Sequence, residues 1–276
     1  MLICRYIMSF TPPFIPSSSD VERYKRLRRL ARDLNHRILK TIPRETVHEI
    51  GDAIGILHNG VLVFGTEAEP SIHMDCCLFD WIRNGKNIVE EYVENHPPVK
   101  GTDEDEILQA YLQAKYRIIV PRSRAKGAGV HCLDLFSSEE FFLMDIGISE
   151  SPLNIAYATR TIPLGQYWIT GGAALPTGQE GITSGVDQLR KKRLLVDGRF
   201  SGSHQATLVL VRTLLANGAS QHTTYGPFDA APRQSHGDLE WTNAPNPRPF
   251  SSNPGRNSRC PCGSGKRYKK CCGSKT

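Results

Sequence analysis

The chain has 276 residues, 39% of them apolar and 22% charged, enough to bury a core and fill one or two domains. No apolar run approaches the roughly 18 residues that a membrane-spanning helix needs. The opening MLICRYIMSF is too short for a secretory signal and lacks a small-residue cleavage site. A reducing cytoplasm is therefore the expected compartment, and there cysteines are free thiols or metal ligands rather than disulfides. The formal charge of +6 is unevenly divided: residues 251–276 hold seven Lys and Arg and no acid, so the first 250 residues sum to −1. An acidic partner is expected to meet the tail.

Residues 1–18 are rich in Pro and Ser and read as a disordered leader, with Met8 a second candidate start. Ser19 or Asp20 is the expected cap of a first helix. Along it Val21, Tyr24, Leu27, Leu30, Leu34, Ile38 and Ile42 recur every three or four residues and form one apolar stripe. Arg23, Lys25, Arg26, Arg28, Arg29, Arg32, Arg37 and Lys40 surround that stripe and read as a solvated charged face. Pro43 ends this helix or starts the next, at about 44–57. Further helical pattern covers about 70–83, 86–95 and 103–116, the last opening on Asp103, Glu104, Asp105 and Glu106, which suit a helix N-terminus.

After Tyr116 the period changes. RIIV, GVHCLDLF, FFLMDIGI, NIAYATRTI and GQYWIT are short β-prone runs separated by turn-like stretches. They predict an antiparallel meander that curls into a small barrel. Residues 176–202 read as irregular, with a helical scrap at QLRKKR. Ser203 to Asn217 reads as a docked helix ending before Gly218. The expected fold class is α+β. The body is 19–217, helical over 19–116, β-rich over 117–175, and irregular plus a helix over 176–217. A flexible Pro/Ser/Asn-rich linker follows at 218–255, then a small module at 256–276.

That module contains CPCGSGKRYKKCC. Cys260, Cys262, Cys271 and Cys272 stand in a C-x-C-x8-C-C spacing, four of the chain's eight cysteines. The P-loop spacing is absent, and Arg267 follows Gly265-Lys266 where Ser or Thr would be needed. Adjacent Cys271 and Cys272 would bridge only with strain. Four thiolates in two close pairs suit tetrahedral Zn²⁺, with iron or a chance thiol cluster as the alternatives. The segment has almost no apolar content, and ordering it costs about 1–2 kcal/mol per residue. Structural zinc returns on the order of 10–16 kcal/mol in finger peptides. Lys266, Arg267, Lys269 and Lys270 lie between the ligand pairs and are the candidate partner-binding residues.

RNSRCPCGSGKRYKKCCG, residues 256–273, resembles the SEC-C motif, the small zinc module at the carboxy terminus of the SecA preprotein translocase and of many unrelated bacterial proteins. The resemblance implies zinc at the four cysteines and docking to protein partners, to ribosomes or to acidic lipid surfaces. Ser258-Arg259 stands where the motif often has proline, and Cys272 where histidine also occurs. The body resembles only uncharacterised bacterial proteins that carry the same tail, which implies no reaction.

Elsewhere the candidates are weaker. His73, Cys76 and Cys77 share a helical face and read as core filler rather than a second metal site or a nucleophile. His131 and Cys132 fall on opposite faces of a strand. Thr170-Gly171-Gly172 lacks a full phosphate-loop fingerprint and reads as a strand-end turn. Asp134, Glu140 and Asp145 read as turn and strand-exit acids. The expected function is a zinc-binding adaptor whose basic tail recruits the body to a protein, ribosomal or acidic-surface partner, lipid or nucleic acid. The alternatives are an enzyme with no identified catalytic constellation and, less well supported, an RNA-binding barrel.

Overall fold

A computed structural model describes residues 14–153 and 155–222, together with Arg267 and Lys270. The chain divides into two compact units, 1–228 and 229–276. In the first unit, helix α1 (Ser18–Leu39) is capped by Ser17, not by Ser19 or Asp20. The Ser17 hydroxyl accepts from the Asp20 backbone and Asp20 answers to the Ser17 backbone, a full capping box. The end of the expected disordered leader is also packed: the Phe14 ring lies 5.3 Å from Phe142 and 5.8 Å from Tyr167. Residues 1–13 lie outside the described residues.

Tyr24, Leu27, Ala31, Leu34 and Ile38 form the buried stripe of α1. Helix α2 (Arg44–Ile54) stops at Gly55, which adopts φ +85. There the helical reading of 19–116 breaks: β1 (Leu57–His58) and β2 (Val61–Leu62) form a hairpin. Its turn is Asn59-Gly60, both at positive φ, a two-residue turn whose twist matches the strands. Helices α3 (Glu69–Phe79), α4 (Ile88–Asn95) and α5 (Asp103–Tyr111) follow. The acidic start of α5 does more than suit the helix dipole. Arg26 grips both oxygens of Asp103, Arg37 pairs with Glu104 and Arg23 with Glu106, so much of the basic face of α1 is neutralised rather than solvated.

Strands β3 (Lys115–Ala125), β4 (Gly129–Asp134) and β5 (Glu140–Met144), the short helix α6 (Ile146–Ser149), then β6 (Ala156–Leu164) and β7 (Tyr167–Thr177) build a closed five-stranded barrel. Its order is β3-β4-β5-β7-β6, not the sequential meander. α6 carries the chain past the next position, so β6 pairs with β3, and β7 closes the ring parallel to β5 at Leu143 and Trp168. Alternation gives each strand two faces. Ile119, Val130, Cys132, Leu143 and Tyr157 fill the inside. Tyr116, Ile118, Phe142, Ile162 and Ile169 point outward into the core shared with the helices.

Residues 176–202 are not irregular. Helix α7 (Gln179–Lys191) occupies them, followed by the hairpin β8 (Leu195–Val196) and β9 (Arg199–Phe200). Helix α8 (His204–Ala216) packs on α7 and α2. Gly181 and Gly185 weaken the helical signal of α7, but the packing requires them. A Cβ on Gly185 would lie 2.7 Å from Leu210, and one on Gly181 would lie 2.6 Å from the Thr177 hydroxyl. A 3₁₀ turn, Ala219–His222, then packs on the body, with Ser220 buried and donating to Glu69. The start of the expected linker at 218 therefore belongs to the folded unit. No helix among the described residues is long and apolar enough to cross a membrane.

Candidate functional site

A buried polar cluster lies where α3 meets the outer face of the barrel. One turn-and-a-bit of α3 supplies Asp75 and Cys76, and Asp80 caps its C-terminus. Arg160 of β6 reaches in from the barrel, 4% exposed. Its Nε donates to Asp75 at 3.0 Å and its Nη2 to Asp80. Its guanidinium carbon sits 4.6 Å from the Phe79 ring and 5.3 Å from Tyr116. Such sandwiching stabilises a planar cation. The Gly171-Gly172 pair makes room. A Cβ on Gly171 would stand 2.8 Å from Asp75 Oδ1, and Gly172 adopts φ +108 beside a shift of the β6–β7 register. The glycine pair is thus part of β7, not a strand-end turn.

Two carboxylates and one guanidinium leave a formal −1 in this cluster. Burial pushes Asp75 up to about 6; Arg160 opposes the rise and Asp80 adds to it. His204, the first residue of α8, stands at the edge. Its Nδ1 donates to the Phe79 carbonyl at 2.9 Å and lies 3.8 Å from Asp80 Oδ1, which is buried with no other partner. Asp80 draws the His204 pKa upward against burial. The Asp75, Cys76 and Asp80 donor atoms lie within 4.8 Å of one another, but the guanidinium already holds both carboxylates, so a cation would compete with Arg160.

A second arginine is buried inside the barrel. Arg117 of β3, 3% exposed, stacks against Trp168 at 4.4 Å and Phe141 at 4.8 Å. Its Nη1 donates to Glu139 at 2.8 Å and lies 3.4 Å from Asp134. Its Nε and Nη2 have no partner. It lies at the floor of a groove of about 320 Å³, which the β4–β5 turn and the β8–β9 hairpin also line.

The weaker sequence candidates resolve as structure. His73 is sealed, its Nε2 donating to the Val47 carbonyl at 2.8 Å, and burial lowers its pKa. Cys77 lies 3.6 Å from His73, but burial and the two aspartates push its thiol up to about 12, far from a nucleophile at neutral pH. Burial first, then Asp80 and Asp75, push the Cys76 thiol well above its ordinary value, with Arg160 opposing. Cys132 fills the barrel while His131 faces Phe142 outside, 4.9 Å between rings. Asp145 caps α6 and accepts from Thr170, and Asp134 closes a turn by accepting from the Phe136 backbone.

Cys260, Cys262, Cys271 and Cys272 lie outside the described residues, as do Lys266 and Lys269. Arg267 and Lys270 are exposed, and the Lys270 N–H donates to the Arg267 carbonyl at 2.8 Å, a helical-type turn between the two cysteine pairs.

Residues 256–274 match the SEC-C motif, a metal-binding module. The four thiols in that span are a donor set that fits a soft or borderline metal. A stretch of 20 residues is 85% identical to a UPF0225 protein of Serratia proteamaculans (strain 568), covering 7% of this chain and 13% of that protein. The chain therefore spans only about an eighth of the length of that curated relative. No solved structure matches. Residues 18–184, from the start of α1 into α7, match the Family of unknown function (DUF7986), and the chain belongs to that family.

Proposed function

We propose that the chain is a zinc-binding adaptor: Cys260, Cys262, Cys271 and Cys272 hold one Zn²⁺, and the tail so ordered recruits the DUF7986 body to an acidic protein or ribosomal surface. The observation that carries this reading is the SEC-C match, with all four thiols and its basic run inside it. Four thiolates with Zn²⁺ carry a formal −2, so seven basic residues still leave the tail at +5. Lys266, Arg267, Lys269 and Lys270 are the contact residues, and exposure of Arg267 and Lys270 accords with that role. A reducing cytoplasm would keep the thiols available for the metal. The enzyme alternative draws no support from the body's thiols and His73, which are buried away from substrate.

Elemental analysis of the full chain should find about one zinc per chain, lost in Cys262→Ser. Partner capture should fail in a chain ending at residue 250, and in Lys266→Glu with Lys270→Glu while zinc content holds. It should also weaken with salt, since exposed charges are screened beyond about 8 Å at physiological ionic strength. Capture that survives the charge reversal with zinc still bound would end the recruitment reading. Unchanged zinc in Cys262→Ser would end the ligand assignment.

A further inference from the structure

The groove at the mouth of the barrel has a floor of an unusual kind. A guanidinium offers its side edge, Nε and Nη2, as a two-pronged fork for carboxylate or phosphate. Arg26 uses that edge on the two oxygens of Asp103, at 2.7 and 3.1 Å. Arg160 spends the same two nitrogens on Asp75 and Asp80. Arg117 is as buried as Arg160, yet its edge meets no acceptor. An unmet buried donor is expensive, and an unmet charged one more so. Exposed Lys115 and Arg199 stand at the rim. With Asp134 and Glu139 as the acids of the groove, the local sum is +1. Phe136 and Phe200, rings 5.3 Å apart, supply an apolar wall.

We propose that this groove binds a small organic oxyanion with a planar apolar body, its carboxylate or phosphate seated on the Nε–Nη2 edge of Arg117 and its body against Phe136 and Phe200. Lys115 and Arg199 draw it in. Glu139 is the counter-charge that yields. It is exposed, it holds Arg117 only through Nη1, and it follows Ser138, a non-glycine residue at φ +60. Nε and Nη2 are sealed from solvent in this conformation, so seating an oxyanion there requires Glu139 to release Nη1 and the guanidinium to turn toward the groove. The size suits the inference, since small-molecule sites begin at about 300 Å³. The residues that line the groove all belong to the first unit.

Calorimetric titration of the full chain with phenyl phosphate, benzoate and inorganic phosphate tests the assignment. Phenyl phosphate or benzoate should bind with a Kd below about 1 mM, and inorganic phosphate, lacking the body, more weakly. Which of the two aromatic probes wins identifies the head group as phosphate or carboxylate. Arg117→Gln should weaken binding at least about tenfold. Lys115→Gln with Arg199→Gln, both exposed, should weaken it several-fold while leaving Arg117 and its ion pairs in place. Glu139→Gln removes the competing carboxylate and should tighten it several-fold. If Arg117→Gln does not fold, the rim pair and Glu139→Gln decide the matter. No heat from any probe at about 10 mM, or affinity unchanged in the rim pair and in Glu139→Gln, overturns the proposal.

Discussion

Arg160 and Arg117 sit on neighbouring strands, one outside the barrel and one inside, and both are sandwiched between aromatic rings. Outside, α3 delivers two carboxylates onto the fork of Arg160, and both side-edge nitrogens of the guanidinium are answered. Inside, the acids arrive from the β4–β5 turn and engage one nitrogen of Arg117. The first arrangement is a rivet between helices and barrel. The second is an incomplete site. Burial alone does not separate a structural charge from a receptive one. The count of satisfied donors does.

The largest effect should come from pulling the rivet. Arg160→Met leaves Asp75 and Asp80 facing each other with almost no solvent, their side chains 7% and 1% exposed. Stripping one partner from a buried pair costs about 3–5 kcal/mol. Denaturant titration at pH 7 should show that loss. The triple change Arg160→Met, Asp75→Asn, Asp80→Asn should recover much of it, because no uncompensated charge then remains. A loss that persists in the triple variant would assign the role of Arg160 to packing rather than charge.

Proton linkage sharpens the same contrast. Asp75 is raised in the folded state from 3.8 to about 6. Its contribution to stability is therefore full below about 4 and is lost as pH rises toward 6. His204 is raised above 6.5 by Asp80, against burial and the repulsion of Arg160. Its contribution is full below 6.5 and is lost as pH rises through the folded value. The stability difference between the wild type and His204→Gln should accordingly be largest below 6.5 and shrink at higher pH. In Arg160→Met the destabilisation should lessen as pH falls and the orphaned carboxylates take up protons. A difference that grows with pH in His204→Gln, or one that shrinks with pH in Arg160→Met, would contradict this account of the cluster.

Much of this was legible in the chain, and the failures have physical reasons. Period-three-and-four apolar spacing located the stripe of α1, and period-two runs located the strands. The order of the barrel was not legible, because α6 is a single short turn that leaves no periodic trace, yet it decides which strand pairs next. α7 hid behind Gly181 and Gly185, whose low helical propensity is the local cost of letting α8 approach. The acidic run at 103–106 was visible as a helix start but not as the partner of α1, since the pairing joins residues about 77 apart. Neither arginine site stood out. The available signals were a charge in the middle of YRIIV and of YATRTI, strands otherwise apolar, and the glycine pair 171–172 that makes space for Asp75. The metal motif was legible because thiol spacing is local in sequence, whereas the arginine sites are assembled from elements far apart in it.

The smallest expected change in stability is at Arg117, and it is the one that bears most on the groove. Arg117→Met removes a charge whose two side-edge nitrogens are already unsatisfied, so the folded state loses a burial cost along with the cation. Asp134 keeps its backbone donor at Phe136, and Glu139 is exposed enough to return to water. Methionine can follow much of the same path between Trp168 and Phe141, replacing a cation–ring contact with a sulfur–ring contact. The net loss should be about 1 kcal/mol, the value of one hydrogen bond, and well below that of Arg160→Met. Side-by-side denaturant titrations at pH 7 measure the gap directly. Equal losses would mean that Arg117 is a second rivet, its free edge satisfied by water in solution, and the groove would lose the unmet donor that makes it receptive. A small loss, combined with abolished binding of the aromatic oxyanion, would separate the two arginines by function as clearly as their hydrogen bonds separate them by geometry.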